Sequence, residues 1–255
     1  MGMIRSRVGL IRRLCGVRAS RLAVLFAVGV ACPWDMAPFE AQASSAGAGE
    51  AAFTPTQEID ISGRRLVSTG RNRYFVLEPG FQIVLEGRNA KLTVTVLDQT
   101  KNVHGVATRI VEEREWENGQ LAEVSRNFYA IDEQSGDVFY FGEEVDMYTA
   151  GKVSSHTGAW LATENGAKPG LMMPGRPKVG MRYYQEIAPG VAMDRAEIVA
   201  VDHTVETPAG RLTGCLRTEE GTALDPRERE FKTYAPGIGL VEDAELLLSR
   251  YGFAR

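Results

Sequence analysis

The sequence predicts an all-β fold, a single antiparallel meander curled into an open or closed barrel, with one long Pro/Gly-rich loop. Three observations predict it. Short apolar or alternating runs recur between turn signals at Phe81 to Leu85, Leu92 to Leu97, Met181 to Ile187, Ala196 to Val201, Leu212 to Leu216, Glu230 to Tyr234 and Leu246 to Leu248. That spacing belongs to β-sandwiches and barrels. The stretch from Val106 to Tyr148 reads as three consecutive strands, and nothing beyond the N-terminal segment carries the period of a long amphipathic helix or a fixed-length repeat.

The N-terminal residues read as a targeting segment rather than as part of the fold. Arg5, Arg7, Arg12, Arg13, Arg18 and Arg21 make a basic region, Leu22 to Ala31 an apolar one, and Ala41-Gln42-Ala43 a small-residue cleavage site. Residues 1–43 are therefore expected to be a signal peptide, 44–52 an Ala/Gly/Ser linker, and 53–255 one β-rich domain. The expected location is the periplasm or cell envelope. Val30-Ala31-Cys32 offers an alternative end to the signal, with lipidation at Cys32 as the only route to a membrane.

Loss of residues 1–43 leaves 23 basic against 31 acidic residues, a net charge of −8. Such a surface disfavours nucleic acid and anionic membranes as partners. Cleavage at Ala43 also leaves Cys215 as the single cysteine. An exported chain without an internal disulfide must be held by its core, and roughly 200 residues suffice for one. Cys215 alternates with Leu212 and Leu216, which suits a small core residue better than a nucleophile.

Within the central stretch, Asn118-Gly119 is a two-residue hairpin turn, because both positions tolerate positive φ. Pairing Glu117 with Gln120 sets Trp116 against Leu121, Arg114 against Glu123, Val111 against Arg126 and Arg109 against Phe128. The second turn, Asp132 to Asp137, sets Phe128 against Phe141 and Arg126 against Glu143. The expected core face then collects Ala107, Val111, Ala122, Val124, Phe128, Ala130, Phe139, Phe141, Val145 and Met147, with Arg109, Arg126 and Glu143 in its midst and Glu113 nearer its end. Charges so placed must be paired or must line a wet cavity. Both a register-fixing salt bridge and a ligand site satisfy that need, and the candidate ligand-binding set is Arg109, Arg126, Glu143, Glu113, Tyr183 and Glu186.

Gly166 to Gly180 holds three prolines and four glycines, which exclude a regular helix or central strand. Its apolar centre, Leu171-Met172-Met173, suggests a plug or a cover over one end of the barrel. The Asp132 to Asp137 turn has the oxygen-rich look of a calcium loop without the spacing of an EF-hand, and a polar turn is the simpler reading. Nucleophile elbows, zinc-protease helices, phosphate-binding loops and paired cysteines are all missing, so no catalytic residue, metal or cofactor is expected. His104, His156 and His203 are scattered and suit turns or surface better than a metal. On the opposite face, Glu112, Glu123 and Glu144 could supply an acid–base pair, with Trp116, Tyr129 and Tyr140 as stacking surfaces.

Gly142-Glu143, Gly166-Ala167-Lys168-Pro169-Gly170, Met173-Pro174, Tyr184-Gln185-Glu186 with Ala188-Pro189-Gly190, and Tyr234 to Val241 together resemble a group of exported bacterial proteins of unknown function. The last segment, Tyr-Ala-Pro-Gly-x-Gly-Leu-Val, is similar to one found across β-rich envelope lipoproteins. The resemblance covers about Asn72 to Val241 and implies export and a β-rich fold, but no reaction. The group's pattern has carboxylates where this chain has Asn127 and Met193, so no role of those acids carries over. The expected function is non-catalytic binding of a small or amphiphilic ligand, or of an envelope partner, in a curled-sheet cavity. The alternatives are a carboxylate-based, glycosidase-like hydrolase and a structural or assembly module without ligand.

Overall fold

A computed structural model describes residues 59–254. The signal peptide and linker expected at 1–52 lie outside the described residues. Seventeen strands and no helix are found among those described. They are β1 (Leu66–Val67), β2 (Gly70–Asn72), β3 (Phe75–Leu77), β4 (Phe81–Glu86), β5 (Ala90–Val103), β6 (Val106–Glu117), β7 (Gln120–Asp132), β8 (Val138–Thr149), β9 (Lys152–Ser155), β10 (Trp160–Leu161), β11 (Gly170–Met173), β12 (Arg182–Tyr184), β13 (Asp194–Thr207), β14 (Gly210–Thr222), β15 (Arg229–Ala235), β16 (Gly239–Asp243) and β17 (Leu246–Phe253).

The chain is all-β, as expected. One large antiparallel sheet runs in the order β10-β8-β7-β6-β5-β4-β17-β16-β15-β14-β13-β12, with β2 and β3 forming a separate hairpin. Its end strands do not pair into a closed barrel, so the sheet is open and curled. The two ends nevertheless come close, because a Cβ on Gly170 would lie 1.9 Å from the Gln185 carbonyl oxygen. Only glycine fits there.

Every run read as a strand from its alternation lies within or overlaps an observed strand. Long strands such as β5, β13 and β14 extend well beyond the apolar runs, since their exposed ends carry polar side chains. Rings at Phe128, Phe139, Phe141, Tyr129 and Tyr140 are all buried in the core. Each such side chain contributes about 1.5–3 kcal/mol by leaving water.

The Asn118-Gly119 turn forms as expected, with Glu117 facing Gln120 and Trp116 facing Leu121. One residue further the register slips: Glu115 faces Glu123, so Ala122 is an additional residue on β7. This bulge turns the rest of β7 over relative to expectation. Val111 faces Asn127 and Arg109 faces Tyr129. The second hairpin keeps its expected register through Ile131–Val138, Ala130–Phe139 and Tyr129–Tyr140, then shifts so that Asn127 faces Glu143 and Arg126 faces Glu144. Gly142 sits in that second irregularity with φ of +124°, where a Cβ would lie 2.3 Å from the Trp160 carbonyl oxygen of β10.

These two bulges correct the expected core face. Val111, Glu113, Ser125, Asn127, Tyr129, Tyr140 and Glu143 share one face, and Glu112, Arg126, Ala130, Phe139 and Glu144 share the other. Arg126 therefore does not join Glu143 and Glu113.

Part of the Pro/Gly segment joins the sheet, and Met172 of its apolar centre faces the interior. The segment supplies β11, which pairs with Phe139 and Tyr140 at the outside of β8. Asn72 holds it through hydrogen bonds from Nδ2 to the carbonyl oxygens of Gly136 (2.7 Å) and Pro174 (3.1 Å). Asp137 accepts from the Gly175 amide at 2.8 Å, and a Cβ on Gly175 would lie 1.9 Å from the Ser135 carbonyl oxygen. The oxygen-rich turn has its own cation: the Arg64 guanidinium reaches Asp132 at 2.9 Å and Asp137 at 3.1 Å.

Candidate functional site

The inner face of the curled sheet lines a partly open cavity of about 140 Å³. Its walls differ in chemistry because strands from different parts of the chain meet there. Phe81 and Ile83 of β4, Leu92, Val94 and Val96 of β5, and Val111 of β6 make one apolar wall. Those residues alternate along their strands, as a half-buried strand requires. The facing wall is polar and comes from the later strands. Glu220 of β14, Glu230, Lys232 and Tyr234 of β15, and Asp243 of β16 line it, joined by Gln185, Glu186 and Asp194.

Register explains how these charges are placed. Lys232 lies between Thr218 on β14 and Asp243 on β16, and Glu220 lies directly opposite Glu230. Like charges in that position repel. The Lys232 ammonium lies between them, 3.3 Å from Glu230, 3.3 Å from Asp243 and 3.8 Å from Glu220. Glu220 Oε1 also accepts from the Thr218 hydroxyl at 2.8 Å and the Tyr234 hydroxyl at 3.0 Å.

The protonation states follow from this arrangement. Burial pushes the Glu230 carboxyl up to about 8, with Lys232 opposing and the neighbouring Asp243 and Glu220 charges adding to the rise. Glu230 is therefore mostly protonated at neutral pH. Burial pulls the Lys232 ammonium down, yet Asp243, Glu230 and Glu220 together hold it well above its ordinary value. The Tyr183 phenol is raised by burial and by Glu220, and its hydroxyl has no hydrogen-bond partner. Asp243 Oδ1 is likewise without a partner, although its Oδ2 faces Lys232.

Aromatic rings close the side of the cavity toward β7 and β8. Tyr129 stacks on Tyr140 with centroids 4.6 Å apart, and Phe75 meets Tyr129 edge-on at 5.1 Å. Tyr140 in turn contacts Trp160 edge-on at 5.3 Å, leading to a second recess lined by Glu143, Trp160 and Glu164. The Tyr140 hydroxyl donates to Asn127 Oδ1, while Asn127 Nδ2 donates to the Val111 carbonyl oxygen at 3.2 Å.

The structure brings only part of the expected set together. Glu113 and Glu186 line the cavity. Tyr183 is buried beside Glu220, and Glu143 is buried at the second recess. Arg109 is tied elsewhere, donating to the carbonyl oxygens of Ser68 at 2.8 Å and Leu97 at 3.3 Å. Arg126 lies on the far face, 3.3 Å from Asp146 and 3.5 Å from Glu112. The acid trio expected opposite the core also separates. Glu112 and Glu144 lie across from Arg126 and are ion-paired to Arg114 and Lys101, whereas Glu123 is buried on the cavity side. Tyr129 and Tyr140, expected beside that trio, line the cavity instead.

Sequence reasoning missed Glu220, Glu230, Lys232 and Asp243. Alternation in Arg229-Glu230-Phe231-Lys232-Thr233-Tyr234 was visible, but it places polar residues inward and Phe231 outward, where 43 % of its surface is exposed. Binary patterning reads such a strand inside out. The chain has no match among family models, curated proteins or solved structures.

Proposed function

We propose that this chain is an exported, non-catalytic binding protein that holds a small or amphiphilic molecule in the cavity of its curled sheet. The observation that carries this reading is the cavity itself, about 140 Å³ with an apolar wall facing a polar one. Ligand sites combine a largely apolar lining with a few fixed polar groups, and the mouths and interiors of curled sheets favour them. Its volume is close to the roughly 150 Å³ of an apolar cavity that accepts benzene. A ligand of that size fits whole, and a longer one would insert one end. Export itself rests on the basic, apolar and small-residue pattern of residues 1–43.

An acid–base reading has less support. Glu230 has the raised carboxyl that a general acid needs, but Lys232 stands 3.3 Å from both Glu230 and Asp243 and ties the two acids to one another.

Native mass spectrometry of the chain purified from its own compartment, beside a Val94→Trp variant that fills the cavity, tests the binding reading. The expected result is a co-purified mass on the natural chain that is lost from the folded variant. An unliganded natural chain, or a mass retained by Val94→Trp, would overturn it.

A further inference from the structure

We propose, resting on the binding reading above, that the ligand's polar end is an organic cation, an alkyl- or arylammonium group seated at Asp243 in the cavity that Tyr129 and Tyr140 also line. Charge supplies the first argument. Seven carboxyl groups line the cavity, of which Glu230 is mostly protonated at neutral pH, and Lys232 is the one basic residue beside them. Lys232 is already faced by three of them, at 3.3, 3.3 and 3.8 Å. An anionic head would meet no cation in the cavity other than Lys232, and would stand against Asp243 and Glu220 beside it. A cation would be drawn in.

Asp243 supplies the second. It is 6 % exposed and lines the cavity, and its Oδ1 has no hydrogen-bond partner. Buried carboxylate oxygens are almost always satisfied, so the unpartnered oxygen of this cavity-lining carboxylate would gain a partner by turning toward a donor held in the cavity. An ammonium group provides that donor together with the compensating charge.

The rings supply the third. Tyr129 and Tyr140, stacked at 4.6 Å, and Phe75, edge-on at 5.1 Å, all line the same cavity as the carboxylates. Where such a ring turns its face to an ammonium group the two attract, more strongly where water is excluded. A bare metal ion suits the site less, because the described residues contain no group of three or more His, Cys, Asp or Glu side chains arranged to ligate one. The opposite wall of Ile83, Leu92, Val94 and Val96 fits a short hydrocarbon body, on the order of six carbons for a cavity of this volume.

Three probes with the same six-carbon chain separate the possibilities: n-hexylamine, 1-hexanol and hexanoate, titrated calorimetrically into the folded chain at neutral pH. The expected order is the amine at least about ten-fold tighter than the alcohol, with hexanoate weakest. Raising the salt concentration should weaken the amine and leave the alcohol unchanged. In Asp243→Asn the amine's advantage should fall at least about five-fold while the alcohol still binds. Should that variant fail to fold, the salt dependence on the natural chain decides the question. Alcohol or hexanoate binding as tightly as the amine would overturn the cationic head while leaving the binding cavity standing. No binding by any of the three would overturn both.

Discussion

Arg126 and Glu143 lie on opposite faces of the sheet, although both belong to the same pair of strands. A register without bulges would set them side by side. The irregularity at Gly142 alone turns them apart, so that Arg126 faces Glu144 and Asn127 faces Glu143. Arg126 leaves 35 % of its side chain exposed and pairs with Asp146 and Glu112, while Glu143 is 1 % exposed.

That separation predicts a mild phenotype for Arg126→Leu. Its ion pairs are partly solvated, so chemical denaturation should show a loss of about 1 kcal/mol or less. Ligand binding in the cavity should be unchanged. A loss of binding at full stability would place Arg126 functionally inside, against the register observed.

Much of the fold was legible because alternation and turn chemistry are local. Asn118-Gly119 gives the first turn, and the runs at β4, β5, β12 to β15 and β17 are readable from their patterns. The faces were not legible, because a bulge is a single residue whose cause lies elsewhere. Gly142 is required by the passage of Trp160 behind it, a contact that no window around Gly142 contains. The site was less legible still. Glu113 and Glu186 stood out, but Lys232 and Asp243 carry meaning only once β14, β15 and β16 are side by side.

The passage of Trp160 behind Gly142 also sets a prediction. In Gly142→Ala the new methyl group would meet the Trp160 carbonyl oxygen at 2.3 Å in a backbone conformation with φ of +124°. Either the β10 contact opens or the bulge is lost, and both disturb the buried Trp160–Tyr140 ring pair. A destabilisation of about 2–4 kcal/mol is expected in urea denaturation. A near-neutral result would mean that β10 is not held against β8 in solution.

Glu230 makes stability fall as the solution becomes more alkaline. Its carboxyl titrates near 4.5 when unfolded and at about 8 in the fold. Between those values the folded state binds the additional proton, so the stabilising contribution is complete below about pH 4.5 and is lost progressively as pH rises toward 8. Denaturation midpoints taken from pH 5.5 to 9 should therefore decline and then level off. Glu230→Gln, which keeps the neutral form at every pH, should flatten that decline. An equal slope in both proteins would assign the effect to other groups.

Asn72 ties three parts of the chain together with one side chain. Its Oδ1 accepts from the Tyr74 amide at 2.7 Å, and its Nδ2 donates to the carbonyl oxygens of Gly136 and Pro174. The residue is 5 % exposed and its bonds to Tyr74 and Pro174 are buried, so those two groups cannot turn to bulk water when it is removed. Asn72→Ala leaves the buried Tyr74 amide and Pro174 carbonyl oxygen unsatisfied and should cost about 2–4 kcal/mol. Asn72→Asp keeps the acceptor for Tyr74 but sets a carboxylate against two carbonyl oxygens, so it should be at least as destabilising at neutral pH and should recover partly in acid, where protonation restores a donor. Limited proteolysis gives the local readout. Cleavage within 169–177 should appear first in both variants, because Asn72 holds that segment against the Asp132 to Asp137 turn. Cutting that begins elsewhere would show that Asp137 and β11 hold the segment without it.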